Sequence, residues 1–321
     1  MALLNIIQAL NQTLHQEFAK NPKLITFGED AGAFGGVFRV TSGLQKAFGE
    51  ERCFDTPLSE QGIVGFGIGV AQYGYKPICE IQFADYIFPA YDQIVNEMAK
   101  MRYRTANQYS ASMIVRTPYG GGIHGGHYHS QSPEAQFLHT PGLVVVCVSS
   151  PYDAKGLLKS AIDSHDPVIF FEPKRIYRSL KEEVPEESYS IPFGKAHLAN
   201  EGNQVTLIGW GAQHHQNMEA AKESGVSVDV INLRSLNPLD FEMIAASVKK
   251  TGRVIVAHEA PRTLGFGAEI AAQIYENCFY HLEAPILRVT GLDTPFPNCH
   301  EKEYLPDKEK VKHAIKEIIT L

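Results

Sequence analysis

Nowhere in these 321 residues is there an apolar run of roughly 18 residues, the length a helix needs to cross a bilayer. The five cysteines, Cys53, Cys79, Cys147, Cys278 and Cys299, are odd in number and contain no C-x-x-C pair. That argues against structural zinc and a disulfide framework, and suits a reducing cytoplasm. Positive charge is also scarce. There are 29 Lys and Arg against 36 Asp and Glu, and the net charge of −7 leaves no basic excess to neutralise phosphates, so a nucleic-acid partner is not expected. Lys308, Lys310 and Lys312 are interrupted by Glu309 and Val311 and read as a solvated helix face. No G-x-x-x-x-G-K-[ST] phosphate loop occurs. The opening residues lack the basic leader and small-residue cleavage site of a signal peptide. Instead Leu3, Ile6, Ile7, Leu10 and Leu14 fall at helical spacing and predict an amphipathic first helix.

What is present is an alternation of strand-like and helix-like segments. Hydrophobic residues make up 44% and charged residues 20%, as in an ordinary globular enzyme of two-domain length. Short apolar runs at 24–28, 76–83, 112–116, 142–148 and 167–171 predict strands. A helix is expected where Phe88, Tyr91, Ile94, Val95, Met98 and Met101 share one face, and another at 153–163. Strands separated by such helices imply a parallel sheet covered on both faces. Residues 181–202 break the pattern with Glu182, Glu183, Glu186, Glu187, Pro185 and Pro192, and read as a linker. A second α/β set follows, with strands at 204–210, 227–233, 253–258 and 286–290 and helices at 215–224, 241–249, after 265–267 and at 309–320. The expected division is 1–180, linker 181–202, and 203–321.

Three segments could carry chemistry. In TPLSEQGIVGFGIGVA (56–71), Ser59 is a candidate N-cap, and Gly62, Gly65 and Gly69 share a helix face open to close backbone approach. The helix is otherwise apolar, which sets Glu60 at the edge of a dry environment, where a carboxyl is harder to ionise. Glu60 reads equally as a solvated first-turn glutamate complementing the helix dipole. In TPYGGGIHGGHYHSQSPE (117–134), His124, His127 and His129 lie in a Gly-rich loop. Their spacing matches no closed zinc motif, and a catalytic loop competes with a plain surface loop. In EIQFADYIFPAY (80–91), Gln82, Asp85 and Tyr86 interleave with aromatics at a strand's carboxyl end, where parallel-sheet proteins place ligands. The aromatics alone would read as core. Gly265-Phe266-Gly267 has the opening of a dinucleotide fingerprint, but Ile270 stands at the third small position and the glycines do not directly follow a strand.

TPLSEQGIVGFGIGVA, EIQFADYIFPAYDQIVNEMAKMRYR, YHSQSPEA and IFFEPKRIYR resemble the β subunits of 2-oxo acid dehydrogenases, most of all the branched-chain type. The likeness extends from GEDAGAFGGVFRVT through HEAPRTLGFGAEI to DTPFP. It implies a transketolase-like pyrimidine-binding domain followed by a transketolase carboxyl-terminal-type domain. It implies thiamine diphosphate shared with an α subunit, in an assembly of two α and two β chains. The α chain would hold the diphosphate and Mg2+ through a GDG…NN motif, and this chain has no GDG triplet. By resemblance Glu60 meets the pyrimidine N1′, Tyr86 lies beside that ring, and Leu58 and Gln82 make further cofactor contacts. His129 serves acyl transfer to the lipoyl group of an acyltransferase. A structural K+ site of related chains has Ser164 and Asp166 at its Asp and Asn positions, where backbone carbonyls could still hold the ion. The implied reaction is oxidative decarboxylation of branched-chain 2-oxo acids, in branched-chain amino acid catabolism. Alternatives are pyruvate or acetoin as substrate, one-chain transketolase chemistry, or a non-catalytic scaffold. The implied location is the cytoplasm, or the mitochondrial matrix in a eukaryote.

Overall fold

The computed structural model describes residues 1–321. Two parallel-rich sheets dominate. The larger has seven strands in the order Ser235–Asn237, Val144–Cys147, Val168–Pro173, Ile114–Tyr119, Lys76–Glu80, Leu24–Gly28 and Cys53–Asp55. All its strand pairs are parallel except the first, where Ser235–Asn237 runs antiparallel to Val144–Cys147. Residues of the Leu24–Gly28, Lys76–Glu80, Ile114–Tyr119 and Val168–Pro173 strands are buried on both faces. That burial is why these segments read as short continuous runs rather than alternations. The second sheet has five strands, ordered Leu287–Gly291, Val254–Pro261, Val205–Gly209, Val228–Asn232 and His197–Asn200. One hydrophobic cluster takes members from both sheets, including Phe171 and Met113 from one side and Ile208 and Trp210 from the other.

Several sequence expectations change in detail. The first helix is Ile6–Lys20, not a helix from Leu3, because Asn5 and Gln8 close a reciprocal capping box. Ala2–Leu4 is a short strand paired with Glu182–Val184, and Leu3 faces solvent. The 181–202 stretch is therefore not bare chain, since it also supplies the edge strand His197–Asn200. The apolar face expected over 88–101 is broken into a 3-10 turn at Phe88–Ala90, a π-helical turn at Gln93–Met98 and a short helix at Met101–Arg104. Pro89 lacks an amide donor, and the wider π turn rotates the face, leaving Phe88 exposed while Ile94 and Met98 are buried. The Ser235–Asn237 strand has no sequence signature: it is three residues long and meets Pro238.

Within the Glu60–Gln72 helix the chain itself packs a further glycine, beyond the face of Gly62, Gly65 and Gly69. The glycine that needs its small size within the chain is Gly67, where an added Cβ would stand 2.6 Å from Met113 Cε and 2.8 Å from Cys79 Sγ. Gly62 and Gly69 face outward, and nothing lies within 4 Å of a Cβ added at Gly69. The face shared by Gly62, Gly65 and Gly69 is thus not packed tightly by this chain itself. Ser59 takes the N-cap position, but its side chain makes no capping hydrogen bond.

Candidate active site

The candidate side chains gather where the larger sheet's parallel strands end. Leu24–Gly28 leads into Glu29 and Asp30, and Lys76–Glu80 into Gln82, Phe83 and the 3-10 turn Ala84–Tyr86. Ile114–Tyr119 leads into the Gly-rich loop and its 3-10 turn Gly126–Tyr128, just before His129. Strand termini in parallel sheets bring loops from several strands to one rim, so residues far apart in sequence converge there.

Beneath that rim lies a buried ion network. Arg116 donates to Glu172 at 2.8 and 2.7 Å and also to Glu80, and the Tyr177 hydroxyl donates to Glu172 at 2.5 Å. Burial disfavours the charged guanidinium, but the Glu172 and Glu80 carboxylates outweigh it and hold Arg116 firmly protonated. Burial raises the Glu80 carboxyl, with Arg116 opposing. Arg116 thus ties three neighbouring strands together by their side chains as well as by their backbones.

The Gly-rich loop is fastened by carboxylates from both halves of the chain. Asp85 Oδ1 accepts the Ser130 and Gln131 amides at 3.1 and 3.0 Å. Glu301 accepts the Gly122 amide at 2.6 Å and the His124 amide at 3.1 Å. Glu259 accepts the Gly121 amide at 3.2 Å and pairs with Arg175. Gly122 has φ +93°, and an added Cβ would stand 2.3 Å from Arg175 Cδ, so this turn requires glycine.

Of the three loop histidines, only His129 faces the rim. Its Nε2 lies 2.7 Å from the Tyr86 hydroxyl and its Nδ1 3.3 Å from the Gly125 carbonyl. The Phe83 ring stands edge-on to it at 4.6 Å. His124 turns to Glu301, and His127 lies tilted against Tyr128 in solvent. They do not converge, and no group of three or more His, Cys, Asp or Glu side chains is arranged to hold a metal ion.

Glu60 is the first residue of its helix and is only half-buried in this chain. Its charge reaches both Glu29 and Tyr86. Burial raises the Glu29 carboxyl first, and Glu60 and Asp30 add to that. Burial likewise raises the Tyr86 phenol, with Asp85, Glu60 and Glu29 contributing. Gln82 donates to Asp30 at 3.1 Å, while Leu58 stands 81% exposed. Glu29, which sequence reasoning passed over, is buried with its Oε1 unpartnered. The available signal was its place directly after a strand, in the GEDAG segment.

The transketolase pyrimidine-binding domain family matches residues 3–179, and the transketolase carboxyl-terminal domain family matches residues 194–311. The mitochondrial 2-oxoisovalerate dehydrogenase subunit beta 2 of Arabidopsis thaliana is 55% identical over 98% of this chain and 89% of its own length. The mitochondrial 2-oxoisovalerate dehydrogenase subunit beta of Dictyostelium discoideum is 56% identical over 98% of this chain and 86% of its own. This chain belongs to the 2-oxo acid dehydrogenase β subunits. The beta subunit of the pyruvate dehydrogenase E1 component from Staphylococcus epidermidis is 46% identical over 97% of both chains. Among solved structures, a split-gene transketolase described as an inactive β4 tetramer gives a TM-score of 0.78 over 100% of this chain and 99% of that one. At 21% identity that likeness speaks for the fold alone. The expected transketolase-like architecture is borne out.

In this β subunit a buried polar contact joins the second half to the first. Trp210 donates to Glu134 Oε1 at 3.0 Å, and burial pushes the Glu134 carboxyl up to about 7. His258 stacks on Trp210 at 5.3 Å and is wholly buried. Gly265 and Gly267 make room for that imidazole, since added Cβ atoms would stand 2.6 and 2.8 Å from its ring atoms. The G-x-G pair is thus a packing device around His258. No helix is long and apolar enough to cross a membrane.

Proposed function

We propose that this chain is the β half of a thiamine-diphosphate-dependent branched-chain 2-oxo acid dehydrogenase, assembled as two α and two β chains and delivering acyl groups to a lipoyl acyltransferase. The observation that carries the reading is the convergence at one sheet rim of Glu60, Gln82, Tyr86 and the hydrogen-bonded His129. The residues fit the pyrimidine end of the cofactor. Glu60 offers a half-open carboxylate at a helix start, and the buried Glu29 Oε1 beside it lacks a partner. Exposed Leu58 offers an apolar surface at the same helix entry. When bound, thiamine diphosphate supplies the electron sink for decarboxylation. Glu60 would hold a proton at N1′, Tyr86, Gln82 and Leu58 would hold and position the pyrimidine, and His129 would manage a proton during acyl transfer. Diphosphate and Mg2+ are assigned to the α chain, because this chain lacks the GDG triplet.

The potassium ion of related chains is left out of the proposal. The Ser164 carbonyl already accepts from the Lys76 ammonium at 2.7 Å and from the Ser112 hydroxyl at 2.8 Å, and the Ser164 hydroxyl occupies the Asp166 carbonyl. A cation is thus already in place there, in the form of a side chain. All five cysteines are free, which supports a reducing compartment, the cytoplasm or the mitochondrial matrix.

The substrate is assigned from the 55% and 56% identities to 2-oxoisovalerate dehydrogenase chains. Pyruvate is the second reading, because a pyruvate dehydrogenase β chain and the 2-oxoisovalerate dehydrogenase β chain of Bacillus subtilis are both 46% identical to this one. The test is to reconstitute the chain with its α partner and compare kcat/KM for 2-oxoisovalerate, pyruvate and acetoin. A preference for 2-oxoisovalerate is expected. A preference for pyruvate or acetoin overturns the substrate assignment, and tight cofactor binding by this chain alone overturns the shared-site reading.

A further inference from the structure

We propose that Tyr86 is a positioning residue for His129: its hydroxyl holds the Nε2 edge of the imidazole in the tautomer that the Gly125 carbonyl sets. This rests on the reading of His129 as the acyl-transfer histidine and adds what sets its state. The Gly125 carbonyl 3.3 Å from Nδ1 can only accept, so Nδ1 carries the hydrogen. Nε2 is then the lone-pair atom, and the Tyr86 hydroxyl at 2.7 Å donates to it. The phenol is suited to remain a donor, since burial and the nearby Asp85, Glu60 and Glu29 charges all oppose its ionisation. Phe83 stands edge-on to the imidazole at 4.6 Å and to Tyr86 at 5.6 Å, so both rings are held against a third.

Two fastenings keep this pair in register. Asp85, the residue before Tyr86, grips the amides of Ser130 and Gln131, which follow His129. The two partners therefore come from loops clamped to each other at adjacent residues, and neither depends on a long free segment. His124 pairs instead with Glu301 and His127 lies against Tyr128, so neither meets Tyr86, which separates His129 from its neighbours by geometry rather than by residue type. The ring of Tyr86 and its hydroxyl would then do separate tasks, the ring holding the pyrimidine and the hydroxyl the imidazole.

The test is a double-mutant cycle in the reconstituted α/β complex with Tyr86→Phe, His129→Ala and both together. Transfer to a free lipoyl domain and dye-linked decarboxylation are measured on each. Phe keeps the ring and removes one oxygen. Tyr86→Phe should lower kcat for lipoyl transfer by roughly tenfold with little change in KM for the lipoyl domain, and should change nothing further when His129 is already Ala. Equal losses with and without His129 would place the hydroxyl on the cofactor or the fold and overturn the proposal. No loss of lipoyl transfer in Tyr86→Phe would do the same. If His129→Ala itself leaves lipoyl transfer intact, the underlying reading of His129 has failed. If His129→Ala is impaired and Tyr86→Phe is not, only the role of Tyr86 has failed.

Discussion

His129, in a loop beyond a parallel strand, and His258, inside the strand Val254–Pro261, each pack against aromatic rings, yet their surroundings suit opposite tasks. His129 is half-buried, and each of its nitrogens has a polar partner. His258 is fully buried, stacked on Trp210, with no hydrogen-bond partner on either nitrogen. Burial pushes His258 down to about 4, with the Arg288 charge adding to the effect, so it is neutral at physiological pH. The same side chain is therefore a candidate proton carrier in one sheet and an inert plate in the other. Solvent access and a partner for each nitrogen make the difference, rather than the presence of imidazole near a strand end.

The largest expected effect tests the active rim directly. Glu60→Gln should lower decarboxylation by about 10³-fold or more in the assembled enzyme while leaving the fold intact, because an amide cannot share a proton with N1′. Steady-state turnover together with a thermal melt checks both halves of that statement, and near-normal turnover would remove Glu60 from the chemistry.

His129→Ala should lower lipoyl transfer by about 10²–10⁴-fold and dye-linked decarboxylation much less. Equal losses in the two assays would move His129 to the decarboxylation step. His258→Phe, measured in parallel, should leave both rates within about twofold. A large loss there would break the contrast between the two histidines.

The support beneath the rim comes next. Arg116→Ala leaves Glu80 and Glu172 buried without their shared cation and should destabilise the chain by about 3–5 kcal/mol in chemical denaturation. A loss under about 1 kcal/mol would mean that the network relaxes with little dependence on Arg116.

The smallest effect sharpens the quiet side. The folded-state value of His258 lies below its ordinary value near 6.5, so the unfolded chain takes up a proton first as pH falls. Its contribution is complete above about 6.5 and is lost progressively down to about 4. His258→Phe should therefore reduce the loss of stability between about pH 7 and pH 5 by on the order of 2 kcal/mol. An unchanged pH dependence would place the acid sensitivity elsewhere, with His214, which burial pushes down to about 3, as the next group to vary.

Much was legible in the residues alone. Apolar runs such as VIFF at 168–171 marked the buried parallel strands, because a strand covered on both faces is largely apolar, while the buried Glu172 that follows is held by Arg116. The long matched segments around Glu60 and His129 carried the family, and the absent GDG triplet pointed to a shared site. Other features had no local signal. Only the folded chain shows that Gly67, rather than Gly62, Gly65 or Gly69, is the internally packed glycine, since that depends on where Met113 and Cys79 arrive. Only it separates His129 from His124 and His127, because Tyr86 is 43 residues away from its partner in sequence. The G-x-G pair at 265–267 looked like a failed nucleotide motif and proved to be clearance for an imidazole. Sequence therefore determined the periodic burial and the family, which are properties of consecutive residues. Tertiary structure decided which side chains share a proton and which are sealed away, because those depend on contacts between residues distant in the chain.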